Sequence, residues 1–246
     1  MGALPSYPRA FDPALGYDSL TRAAREATGF DAAELAAKFE SLGDDCEFGF
    51  FQRWCRAEVL GLFRFSNPHH DVILQEIESN FATFGEGMTV ELDQQKPRRE
   101  WIIVDPKRRL REHTYISEGQ QPEEAVRRLS EHRTALLRRM MIENMRDGTK
   151  IFVIKSGEGR LNRDAVAEIA QALRRRGPNW LLWVKPGEKV GKVKVLAEGL
   201  IRGTIDRLTC QDGSEPSYAA WLAVVVGAYV EVSAQRFRGE ACRPTV

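Results

Sequence analysis

Two apolar runs, Lys150–Ile154 (KIFVI) and Trp180–Val184 (WLLWV), flank Leu161–Arg176, where apolar residues recur at helical spacing and a Gly177-Pro178 break follows. Strands that are apolar at nearly every position have two faces to hide, and a helix between them carries the chain back for a second parallel strand. The pattern predicts a parallel sheet covered by helices on both sides. Upstream, Met88–Leu92, Glu100–Val104 and Leu110–Ile116 read as strands. The last two face each other across the turn residues Asp105-Pro106-Lys107-Arg108, which pairs His113 with Ile102. Short strand-like segments at Val193–Leu196 and Leu200–Ile205 precede a closing helix over about Ser217–Val230. Further helices are expected over Leu20–Ala27, over Asp31–Ser41, from a cap at Asn67 with Pro68 in the first turn toward Phe84, and over Glu123–Arg146.

The expected fold class is therefore α/β: a single domain whose mixed central sheet joins an antiparallel hairpin to parallel strands, flanked by helices. It should span residues 19–235, between a proline-containing N-terminal arm (1–18) and a C-terminal tail (236–246). A chain of 246 residues with an apolar fraction of 43% can bury one substantial core.

Thirty-six basic side chains against 35 acidic ones give a net charge of +1, so no global field favours nucleic acid or an anionic membrane. The most apolar run, Trp221–Val230, is about half the ~20 residues a membrane span needs. No basic segment followed by an apolar one opens the sequence, and a cytoplasmic location is the expectation. Cysteines at 46, 55, 210 and 242 form no CxxC pair, so reduced thiols are expected and no metal or cofactor.

The stretch ESLGDDCEFGFFQRWC, residues 40–55, carries the most chemistry. Asp44 with Glu47 three residues on has capping-box spacing, which puts Cys46 in the first turn of a helix. Unsatisfied amides and the positive end of the helix dipole favour a thiolate there, and the same amides can receive an oxyanion. At about 100° per residue, Phe48, Phe51 and Cys55 share a stripe, while Cys46 lies opposite with Gly49, Phe50 and Arg53. Cys55 is thus the structural thiol, and Cys46 is either a nucleophile or a small packing residue at the helix start. Gly49 leaves room beside the sulfur for another backbone or for a ligand. Because Asp44, Asp45 and Glu47 would all oppose a thiolate, a nucleophilic Cys46 requires a cation nearby.

Among four histidines, His132 lies in a charged helix and is expected in solvent; His69 and His70 open a helix close in sequence to Cys46. His113 stands on a strand, a rigid mount for a general base. Arg64, between Phe63 and Phe65, could grip an anionic substrate group through its planar fork or form a buried structural pair. Asp45 and Gly49 are the other candidate substrate contacts. The glycines of Lys155-Ser156-Gly157-Glu158-Gly159-Arg160 connect a strand to a helix, so Lys155, Gly157 and Gly159 form a weak phosphate-binding candidate without Walker or GxGxxG spacing.

The block SLGDDCEFGFFQRW and the later segment VDPKRRLREHTYI resemble a bacterial papain-like cysteine peptidase family of unassigned function. Over roughly residues 37–230 the chain is also similar to proteobacterial domains found beside glycosyltransferases and methyltransferases, through AEVLGLFRF, KIFVIKS, LLWV and GLIRGTIDRL. The resemblance implies Cys46 as nucleophile, His113 as base and, as the alternative architecture, a papain-like α+β fold. Asp206, ending a strand-like run in GTIDRL, is the first candidate to orient the base, against a simple pairing with Arg202 or Arg207.

Two functions from different classes follow. The first is a cysteine hydrolase or acyl transferase acting on a small-molecule, peptide or glycan substrate, with a glycosyltransferase as possible partner. The second is a non-catalytic module that binds a sugar, a nucleotide-sugar or a partner enzyme through Arg64 and the loop from Lys155 to Arg160.

Overall fold

A computed structural model describes residues 7–43, 45–94, 99–155, 161–208 and 215–241. Asp44, Gly157, Gly159, Cys210 and Cys242 lie outside them. Five strands, β1 (Phe39–Ser41), β5 (Ile151–Lys155), β6 (Trp180–Pro186), β7 (Val193–Ala197) and β8 (Leu200–Ile205), form one sheet in the order β1-β5-β6-β8-β7. All neighbours are parallel except β7, which pairs antiparallel at the edge. Strands β2 (Thr89–Asp93), β3 (Glu100–Asp105) and β4 (Leu110–Ser117) form an antiparallel sheet of their own rather than extending the first.

The two apolar runs occupy the middle of the larger sheet, and their side chains alternate between two cores. Ile151, Val153, Trp180, Leu182 and Val184 face helices α1 (Tyr17–Thr28), α2 (Ala32–Ala36), α3 (Glu47–Trp54) and α7 (Tyr218–Ala241). Phe152, Ile154, Leu181 and Trp183 face α4 (His70–Glu78), α5 (Glu123–Asp147) and α6 (Arg163–Arg176). Parallel strands with helices on both faces make the chain α/β, not the α+β alternative. By length and composition α7 could cross a membrane, with a mean hydropathy of 1.2, but 56% of that window is buried inside the protein. Its Trp221 and Val224 belong to the core it completes.

Three local expectations change. The helix expected over Asp31–Ser41 stops at Ala36: Asp31 and Glu34 build its capping box, but Phe39–Ser41 pair with β5 and are wholly buried. Long-range pairing overrides helical spacing there. Helix α4 is capped at His69, because the Asn67 side chain instead accepts the Arg111 amide at 3.2 Å. The closing helix continues through Ala241, into the segment assigned to a tail. At the other end, the arm lies on the body: Phe11 is buried and the Pro8 ring packs against Gly191.

Candidate active site at the start of helix α3

The chain leaves the C-terminal end of β1 through Gly43, where φ is +95° and the Pro68 ring occupies the space of a side chain. Cys46 is the N-cap residue of α3, two positions earlier in the helix than a cap at Asp44 implied, and it is half-buried. The cap itself comes from Asp45, whose Oδ1 accepts the Glu47 amide at 2.7 Å. Cys55, at the far end of the helix, is sealed in the core, and burial pushes its thiol pKa well up. Of the two described cysteines, Cys46 alone can meet a substrate.

Helix α3 is fixed from below by charge. Lys155, at the end of β5, is buried against the carboxylates of Asp45 and Glu47, and Glu47 also accepts the Trp221 indole N–H at 2.8 Å. Lys155 is therefore the cation that offsets two of the acidic groups around Cys46. A phosphate would have to compete with both carboxylates, so Lys155 is not the free cation that the phosphate candidate needed. Asp45 likewise serves the helix cap and Lys155 rather than a substrate.

Gly49 and Arg64 are architectural too. A Cβ on Gly49 would lie 2.6 Å from the Phe65 ring and 2.7 Å from the Arg64 carbonyl, so the glycine admits a neighbouring backbone and not a ligand. The Arg64 guanidinium is 5% exposed; it donates to the carbonyls of Gly49, Ala57 and Val59 and to Glu58. Its fork clamps a turn to α3, and burial lowers its pKa from the usual arginine value.

The segment it fixes runs onward beside β4: the Phe65 carbonyl accepts from the His113 amide and Ser66 bridges to Glu112. This brings the hairpin to α3. Phe65 packs on Phe50 at 6.0 Å and edge-on to Tyr115 at 5.3 Å, and the His113 ring lies 5.9 Å from the Tyr115 ring. Arg53, about two turns along the same helix face from Cys46, stacks over Phe65 and Tyr115 at 4.5 and 4.8 Å. Tyr115 thus joins the hairpin to helix α3. Burial, and next the charge of Cys46, push its phenol up to about 12, which keeps it a proton donor at neutral pH.

His113 pairs with Ile102 as the hairpin register predicts, but Thr114 and Tyr115 form a bulge, with Tyr115 at φ +59°. One carboxylate holds this bulge. Oε1 of Glu100 accepts the Tyr115 amide at 2.8 Å and lies 3.3 Å from Nδ1 of His113, off line for a hydrogen bond in this state. Glu100, not Asp206, is the acid beside the histidine. Asp206 directly follows β8, which two strands separate from β1, and is paired with Arg207. The sequence carried a signal for Glu100: it stands two residues from Ile102 on the same strand face, hence diagonal to His113.

No protein-family profile, no curated protein and no solved structure matches this chain.

Proposed function

We propose that the protein is a cysteine-dependent hydrolase or acyl transferase. The Cys46 thiolate attacks a carbonyl carbon, His113 takes the thiol proton and returns it to the leaving group, and a thioester forms that water or another acceptor resolves. Glu100 orients the imidazole, and the first-turn amide of Phe48, which no intrahelical carbonyl satisfies, receives the oxyanion. One observation carries this reading: the hairpin that holds a carboxylate-flanked imidazole packs, through Tyr115 and Phe65, on the helix that begins at the half-buried Cys46. The proposed substrate is an ester or amide of a small molecule, peptide or glycan in the cytoplasm, with a glycosyltransferase as partner.

The competing module reading relied on Arg64 and the loop from Lys155 to Arg160; Arg64 and Lys155 are both used inside the protein, and residues 156–160 lie outside the described residues. Iodoacetamide mapping by mass spectrometry separates the two. Cys46 should react about tenfold faster, or more, than the other cysteines at neutral pH, and His113→Ala should slow it. Equal labelling of all thiols, or labelling indifferent to His113, sinks the catalytic reading.

A further inference from the structure

Helix α4 opens with three consecutive residues that could ligate a metal, His69, His70 and Asp71, whose candidate donor atoms all lie within 4.8 Å of one another. Nδ1 of His69 is 3.1 Å from one oxygen of Asp71, and Nε2 of His70 is 3.0 Å from the other. Helix capping is a poor account of this cluster, because the His69 side chain makes no cap hydrogen bond. Hydrogen bonding is a poor account as well: among the described residues neither imidazole has a side-chain hydrogen bond to Asp71, despite the short separations. The two rings nevertheless pack 4.1 Å apart, with their side chains 64% and 26% exposed.

Donors that crowd together without bonding to one another fit a shared cation. Bonds of about 2.0–2.2 Å to a divalent ion put neighbouring ligand atoms about 2.8–3.1 Å apart in octahedral geometry and about 3.3–3.6 Å apart in tetrahedral geometry. The two separations to Asp71 fall in the octahedral interval. Neutral imidazoles with one carboxylate suit zinc and its neighbours, whereas magnesium and calcium prefer all-oxygen sets. We infer that His69, His70 and Asp71 bind one divalent transition-metal ion of the zinc class, with water completing the shell. Pro68, packed on Gly43, sets this site beside the loop that leads to Cys46, yet the inference is independent of any chemistry at the thiol.

Isothermal titration of the full chain with Zn2+ tests it, alongside His69→Ala, Asp71→Asn and, as a control, His132→Ala. Wild type and the His132 variant should each bind one ion, and the other two should bind at least about tenfold more weakly. His69 and Asp71 are exposed, and an unchanged unfolding curve without metal shows that each variant remains folded. Substituting Co2+ should give ligand-field bands without a sulfur charge-transfer band. Binding that survives both variants, a sulfur band, or no binding tighter than that of the Asp71→Asn chain would each overturn the site.

Discussion

Replacing Glu40 by Gln should make stability less dependent on pH. Glu40 lies in β1, 2% exposed, and accepts the Asn144 side-chain amide at 2.7 Å. Burial outweighs that bond, the Lys150 charge and the Leu62 amide, and raises the carboxyl from 4.5 to about 7. A pKa higher in the folded than in the unfolded chain means that the folded protein holds this proton more tightly. The associated stability is complete below about pH 4.5 and is lost as pH rises through 7. A gap of about 2.5 pH units corresponds to about 3 kcal/mol, roughly three quarters of it between pH 5 and pH 8. Glu112 is raised to about 7 by the same cause, so the wild type has a second contribution with the same sign. Comparing wild type with Glu40→Gln at each pH cancels it. Urea unfolding at several pH values should show the variant gaining on wild type by about 2–3 kcal/mol from pH 5 to pH 8. A stability difference that stays constant across that interval would refute the buried, proton-holding Glu40.

Two further substitutions probe the site. Gly49→Ala gains about 1 kcal/mol of helix propensity but drives a methyl into the Arg64 carbonyl, so urea unfolding should show a net loss of roughly 1–3 kcal/mol; a more stable variant would contradict the close backbone approach. Glu100→Gln keeps an acceptor for the Tyr115 amide but removes the negative charge beside His113. Alkylation of Cys46 at neutral pH should fall several-fold while unfolding barely changes, and unaltered labelling would remove Glu100 from the proposed machinery.

The strands at 150–154 and 180–184 were legible because full burial demands apolar residues at both phases of the strand, a pattern that few other structures satisfy. The hairpin register was legible for a similar reason: turn chemistry at 105–108 fixes which residues oppose each other, and His113 meets Ile102 as it dictates. Residues 39–41 were misread because a three-residue strand has too few positions to outvote helical spacing, and its pairing partner lies more than a hundred residues away. The site was legible in part. Capping rules placed Cys46 at a helix start within two residues, but no local rule could show what its neighbours already held.

Sequence alone thus determined the α/β layering, the hairpin, and the separation of an accessible Cys46 from a buried Cys55, all consequences of periodicity and capping over a few residues. Tertiary structure decided the partnerships: Lys155 with Asp45 and Glu47, Arg64 with three carbonyls, Glu100 rather than Asp206 beside His113. Charged and polar groups bond to whatever the fold brings within about 3 Å, and that proximity arises from contacts between segments far apart in the chain.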